Sequence, residues 1–343
     1  MPSRSILLAT LLLSAACVGY RTPLDDLTHV DAGIPCRPGG VSLAHAQPTV
    51  MFVLDRSTSM GTAMASGRNG QTRWAALASA LGSVLPSVNQ AMAIGALFFP
   101  SSTSGTMNCS VAGRADLVPA TGNVAALTRL MSSLAPGGAT PTAAAIDTAA
   151  SLLAAVRAAA GARALVLATD GGPDCNQSLD TRTCRCVTAT AGACTSSVAC
   201  VDDTRTVATL ARHQAQGLPT YVVGIESTGD TQLSDVLDAM AVAGGRPRTG
   251  AAQSYYRATS AAELDAALAT IRDQVGACTF LTGSVPDSGG AIVISLDGAD
   301  LTSEEWAWGN RETGELLLLG DACAVVAAVP DTKVSAVVTC NEG

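Results

Sequence analysis

The sequence predicts a doubly wound α/β domain with a mostly parallel sheet, followed by a small, disulfide-stapled, mostly β module. Three observations carry this expectation. Apolar runs at 50–54, 91–99, 164–168 and 219–225 show no period-two alternation, as in strands covered on both faces. Segments with apolar residues at helical spacing separate them, and such alternation builds a parallel sheet flanked by helices. Cysteines cluster late in the chain, and Cys278, Cys323 and Cys340 accompany strand-like runs at 291–296, 315–319 and 334–339. A unit this small needs cross-links to hold its core.

Residues 1–17 read as an export signal. Arg4 supplies a positive start, and 6–13 is an apolar run too short to span a bilayer. Ser14, Ala15 and Ala16 then lead into Cys17. That arrangement resembles a bacterial lipobox, which implies lipidation of Cys17 and a membrane attachment through the lipid alone. Val18 after the cysteine implies the outer membrane by the same resemblance. Parity agrees: setting Cys17 aside from the 11 cysteines leaves 10 that can all pair in an oxidising compartment. Residues 18–47 carry Pro23, Pro35, Pro38 and Gly39-Gly40 with little periodicity. They read as a flexible tether, about 30 residues with a reach of roughly 30 Å, partly pinned by Cys36.

The α/β domain is expected over 48–276. Its first strand ends at Asp55. A helix over 73–85 places Trp74, Leu77, Leu81 and Leu85 on one face and stops at Pro86. After the strand at 91–99 come a polar loop with Cys109, a short strand near 111–118 and a helix over 124–134. The loop PGGATPT at 136–142 opens an alanine-rich helix over 142–160. The next strand ends at Asp170 and turns on Gly171-Gly172. An insert at 174–200 holds Cys175, Cys184, Cys186, Cys194 and Cys200 among small polar residues. A helix over 201–216 has Asp202 and Asp203 in its first turn, where they suit the helix dipole. The strand at 219–225, a helix marked by Leu233, Val236, Leu237 and Met240, and a weaker strand at 254–258 follow. Ser260 and Glu263 form a capping box for a last helix whose stripe is Leu264, Leu268, Ile271 and Val275, ended by Gly276. Residues 277–343 make the β-rich module, with Thr313-Gly314 as a hairpin turn and Trp306 and Trp308 between its strands.

Asp55, Ser57 and Ser59 leave the end of one buried strand, Thr140 follows a glycine turn, and Asp170 ends a second buried strand. Acids and hydroxyls can converge on a hard cation, since Mg²⁺ takes oxygen ligands in a near-octahedral cage. In doubly wound sheets, ligands lie beyond the carboxyl ends of the parallel strands, where Asp55 and Asp170 fall. These three loops together resemble the metal-ion-dependent adhesion site of von Willebrand factor type A domains, over about two-thirds of the chain. Thr58 stands where glycine is frequent and Arg56 precedes the first serine; neither position supplies a ligand. The resemblance implies Mg²⁺, or Mn²⁺, held by Asp55, Ser57, Ser59, Thr140 and Asp170, with Ca²⁺ a poor substitute. It implies a protein partner whose Asp or Glu completes the ion's shell, hence an adhesion or protein-binding module on a cell-envelope lipoprotein. It also couples the metal to movement of the last helix, which Cys278 is expected to restrict.

Other chemistries find less support. The formal charge of −8, or −9 once Arg4 leaves with the signal, argues against nucleic acid. Serine catalysis needs a base, but His29 and His45 lie in the tether and His213 on a helix away from the metal loops. No Gly-x-Ser-x-Gly elbow occurs, and Asp174, the one spare acid near the site, reads as a turn residue. The chain is therefore read as a non-enzyme. Cys184-x-Cys186 and its neighbours have enough sulfur for zinc, but export favours disulfides. Cys109 and Cys175 both follow carboxyl ends of parallel strands and are expected to pair. Cys36, Cys278, Cys323 and Cys340 then make two pairs, joining tether to tail. The competing reading is a structural envelope lipoprotein without metal-dependent binding.

Overall fold

The computed structural model describes residues 34–64, 70–105, 107–156, 163–187, 193–226, 234–248, 250–329 and 332–341. The expected signal, Cys17, His29, Leu233 and the tether up to residue 33 lie outside them. In chain order the elements are β1 (Gly39–His45), β2 (Thr49–Asp55), α1 (Arg73–Val84), β3 (Ala93–Phe99), β4 (Leu117–Ala120), α2 (Val124–Ser133), α3 (Thr142–Ala155) and β5 (Arg163–Thr169). Then come α4 (Asp203–Ala215), β6 (Thr220–Ile225), α5 (Ser234–Ala243), β7 (Tyr256–Ala258), α6 (Ala261–Gly276) and β8 (Thr279–Thr282). The tail continues with β9 (Ala291–Leu296), β10 (Ala299–Asp300), β11 (Trp306–Asn310), β12 (Glu315–Leu318), α7 (Gly320–Ala328) and β13 (Val334–Thr339).

Six strands form one sheet in the order β4-β3-β2-β5-β6-β7. β2 pairs in parallel with β3 and β5, and β5–β6 and β6–β7 are parallel too, whereas β4 is antiparallel to β3. Every residue of β2 is buried, because helices cover both faces. Val50, Phe52 and Leu54 face the core that holds Trp74, Leu77 and Leu81 of α1, Leu127 of α2 and Leu264, Leu268 and Ile271 of α6. Met51 and Val53 face the opposite core, with Ile146 and Leu153 of α3, Leu210 of α4 and Leu237 and Met240 of α5. The strand's two sides are therefore equally apolar, which explains its lack of alternation.

The edge strand lies further along than expected, at Leu117–Ala120. Asp116 Oδ2 accepts the Phe98 N–H at 2.8 Å just before it. A Cβ on Gly95 would lie 2.6 Å from Pro119 Cγ, so the glycine admits this close pairing. In the cap of α6, Ser260 Oγ accepts the Glu263 N–H at 3.2 Å, while the Glu263 carboxylate accepts from Thr259 N at 2.6 Å. The return arm of the expected box thus reaches one residue further back.

The second sheet has seven strands in the order β10-β9-β13-β1-β8-β12-β11, and every pair in it is antiparallel. Here the tether expectation is corrected. Gly39–His45 is a strand in mid-sheet, between β13 and β8. Val41 and Leu43 alternate inward onto a core of Phe280, Ile294, Leu316, Leu318, Val326 and Ala336. Two apolar residues at period two, beside a glycine pair and prolines, are too few to identify from sequence, and a strand partner nearly 300 residues away leaves no local mark. The tail sheet is thus completed by chain that precedes the α/β sheet. Trp306 and Trp308 belong to the edge strand β11, and their rings meet edge to face at 5.8 Å. Helix α7 was not anticipated.

Five disulfides close the structure: Cys36–Cys340, Cys109–Cys175, Cys184–Cys200, Cys186–Cys194 and Cys278–Cys323. Cys36 precedes β1 and Cys340 follows β13, so their bridge locks the ends of two paired strands. It spans 304 residues, and cross-linking so distant a pair restricts the unfolded chain strongly. Replacing Cys36 and Cys340 together with serine is predicted to lower stability by about 2–5 kcal/mol in urea unfolding. An unchanged midpoint would show that this end of the tail sheet is held without the bridge.

Candidate metal centre

The parallel arrangement of β2 and β5 sets two acids side by side, since Asp55 ends one strand and Asp170 follows the last residue of the other. Asp55 is fully buried and Asp170 nearly so. Asp55 Oδ1 accepts the Ser57 N–H at 2.7 Å, and its Oδ2 accepts the Thr169 hydroxyl at 2.6 Å. The chain then turns through a short 3-10 segment, Thr58–Gly61. This turn brings Ser57 Oγ and Ser59 Oγ to 3.0 Å. Ser59 donates to Asp170 Oδ1 at 2.7 Å, and Arg73, the first residue of α1, donates from Nη1 to Asp170 Oδ2 at 2.6 Å. Asp55, Ser57, Ser59, Asp170 and Arg73 thus form one hydrogen-bonded network.

The loop that carries Thr140 is joined to the turn after β2 through Thr58 and Arg56. Thr58 donates from both its N–H and its hydroxyl to Gly138 O, at 3.1 and 3.0 Å. Gly137 N–H donates to Arg56 O at 2.7 Å. Gly138 has φ +88°, and a Cβ there would meet Pro100 Cγ at 2.6 Å, so this position requires glycine. Thr140 N–H donates to Asp174 Oδ1 at 2.6 Å, while Asp174 N–H donates to Thr140 O at 3.0 Å. This reciprocal clamp fixes the threonine. The Cys109–Cys175 bridge, with Cα atoms 5.7 Å apart, fastens the adjoining residue to the loop after β3.

Four residues with work to do here escaped the sequence reading. Thr169 lies inside an apolar strand. Asp174 reads as a turn former yet is buried and orients Thr140. Arg56 counted only as a departure from a pattern. In the fold its guanidinium is buried and donates to Pro100 O at 2.8 Å, Ser101 O at 2.7 Å and Ala135 O at 3.5 Å, joining the flanking loops. Arg73 counted only as a helix start. The available signal was electrostatic: two acids converging in a buried place need a nearby cation.

Burial, and second the charge of Asp170, push the Asp55 carboxyl up to about 7. Asp170 is also pushed up by burial, against the opposing pull of Arg73. Burial raises Asp174 to about 7. Two buried carboxylates facing one another with a single guanidinium leave negative charge uncompensated. The surrounding donors are hydroxyl and carboxylate oxygens, the set a small hard dication prefers. The residues therefore fit Mg²⁺ or Mn²⁺. The two described histidines are engaged elsewhere. His213 Nε2 lies 2.7 Å from Asp147 Oδ1, and the His45 ring packs on Phe280 with centroids 4.3 Å apart.

Residues 50–173 match the family model of the von Willebrand factor type A domain. No curated protein matches the sequence. Among solved structures the chain is similar to the PilB minor pilin from Streptococcus sanguinis, at 14% identity and a TM-score of 0.47, over 68% of this chain and 62% of that one. It is similar to the pilus adhesin SpaC from Lactobacillus rhamnosus GG, at 15% identity and a TM-score of 0.47, over 87% of this chain and 40% of that one. It is also similar to the vWF domain of a type V pili tip protein from Porphyromonas gingivalis, at 12% identity and a TM-score of 0.42, over 66% and 94% of the two chains. The chain thus spans less than two thirds of the pilin and of the adhesin. The family match runs from β2 to the turn after β5 and includes Asp55, Ser57, Ser59, Thr140 and Asp170, so the stretch that carries the candidate site is the stretch that matches the von Willebrand factor type A model.

Proposed function

We propose that this protein is a metal-dependent protein-binding module of the cell envelope, exported and anchored by a lipid on Cys17. Asp55, Ser57, Ser59, Thr140 and Asp170 hold one Mg²⁺ or Mn²⁺, and an Asp or Glu of a partner protein completes the ion's shell. The observation that carries this reading is the pair of buried carboxylates, Asp55 and Asp170, linked through the hydroxyls of Ser57 and Ser59 at the carboxyl edge of the sheet. When bound, the ion supplies an electrophilic point for an oxygen anion. The chain's own residues do the rest. The Ser59 hydroxyl donates its hydrogen bond to Asp170 and keeps lone pairs for the ion, and Asp174 and Gly138 set the position of Thr140. Binding is preferred to catalysis because no described histidine lies among these groups. The five disulfides support an oxidising compartment. No helix among the described residues is long and apolar enough to cross a membrane. The Cys278–Cys323 bridge fastens the end of α6 to α7, favouring a constitutive binder over a switch.

Calorimetry should detect one Mg²⁺ per chain, with Ca²⁺ weaker. Asp55→Ala should abolish this heat while keeping the folded circular dichroism spectrum, since the substitution also removes a buried charge. Equal heats for the two proteins would overturn the metal reading. Partner capture from envelope extracts that ignores chelator would favour a purely structural lipoprotein. Cys17→Ser should release the protein from membranes, and a variant that stays bound refutes the anchor.

Proton and cation compete for Asp55, whose carboxyl stands at about 7 without the ion against an ordinary 3.8. A raised acid favours the metal-free fold fully below the ordinary value and loses that contribution as pH rises through about 7. Metal binding runs the other way, because it needs the carboxylate. Mg²⁺ affinity is therefore predicted to fall as pH drops from 8 to 6, approaching tenfold per unit below 7. A flat affinity across that range contradicts the assignment of Asp55 as ligand.

A further inference from the structure

We infer that Arg73 is the built-in counter-charge of the metal centre and that it makes the bound ion demand an anionic partner. The inference rests on the metal reading above and assigns a role to a residue outside the ligand set. Arg73 Nη1 lies 2.6 Å from Asp170 Oδ2, and the two side chains are only 7% and 0% exposed. At that depth solvent does not screen the pair, unlike an exposed ion pair. The partners of Asp55, by contrast, are neutral: the Ser57 N–H and the Thr169 hydroxyl. One carboxylate of the centre is therefore neutralised within the protein, and the other is not.

The consequence follows from counting charge along the hydrogen-bonded network from Asp55 to Arg73. Two carboxylates and a guanidinium sum to one negative charge, so a bound dication leaves the network with one positive charge. A single carboxylate from outside brings it to zero. Without Arg73, two carboxylates would balance the dication formally and the electrostatic demand for an acidic partner would weaken. Arg73 thus lowers affinity for the metal and raises the bound ion's affinity for a carboxylate. The second buried arginine near the site does not act this way, because Arg56 faces the carbonyls of Pro100, Ser101 and Ala135. Arg73 is a specificity-determining residue that touches neither ion nor partner and acts through Asp170.

The test uses the full chain with Mn²⁺ alone and then with acetate as a carboxylate probe. Calorimetry gives metal affinity, and water-proton relaxation reports displacement of Mn²⁺-bound water by acetate. Arg73→Gln should tighten Mn²⁺ binding by about tenfold or more, on the scale of one unit charge a few ångströms away. It should weaken the acetate effect by a similar factor. Arg73→Lys, which keeps the charge, should resemble wild type in both. Arg73→Gln leaves Asp170 buried without its partner and is liable to misfold in the absence of metal. Circular dichroism with and without Mn²⁺ therefore accompanies each titration, and Arg73→Lys, which keeps the pair with Asp170, carries the test if Arg73→Gln does not fold. Wild type that takes up no Mn²⁺ overturns the metal reading itself. Wild type that binds Mn²⁺, with Arg73→Gln unchanged in affinity and acetate response, overturns this inference alone. So does an Arg73→Lys variant that binds Mn²⁺ but has lost the acetate response.

Discussion

Two carboxylates are held out of water beside each other, and the architecture around them follows from that constraint. Ionised carboxylates are expensive to bury and more expensive to bury together. The chain meets the cost with directed hydrogen bonds. Asp55 takes a backbone N–H and a threonine hydroxyl, and Asp170 takes a serine hydroxyl and a guanidinium. The parallel sheet supplies the precision. β2 and β5 run side by side with every residue of β2 buried, so their ends are fixed by packing on both faces before any loop is considered.

The loops then have little freedom. Gly138 is pressed against Pro100, Arg56 joins three carbonyls, Asp174 clamps Thr140, and a disulfide binds the residue after Asp174 to the neighbouring loop. Such preorganisation lowers the conformational cost of binding an ion or a partner. It also accounts for the burial of Arg56, Thr169 and Asp174 near the site, where they hold its loops and side chains in place.

The α/β sheet and the meeting of Asp55, Ser57, Ser59 and Asp170 at its strand ends were legible in the sequence because their signals are local. A run such as Val50 to Leu54 is apolar at every position only when both faces are covered, and the serines and aspartates lie within a few residues of strand ends. The rest was hidden because its cause is distant. Strand β1 has only Val41 and Leu43 to mark it, and its partners β13 and β8 lie at the far end of the chain. Arg73 looks like any helix N-terminal residue until the fold carries Asp170 to it across nearly a hundred residues of sequence. Asp174 looks like a turn former until the turn buries it. Side chains whose role is to compensate another buried group cannot be recognised without that group in view.

The tail sheet incorporates the chain just before β2, and the Cys36–Cys340 bridge closes it there. The site lies at the carboxyl edge of the other sheet. Whether that edge is a metal centre is most directly decided by anomalous scattering from crystals soaked in Mn²⁺. The account predicts one strong peak in contact with oxygens from among Asp55, Ser57, Ser59, Thr140 and Asp170, absent in Asp55→Ala crystals. A peak elsewhere, or no peak at an Mn²⁺ concentration well above that of the protein, would contradict it.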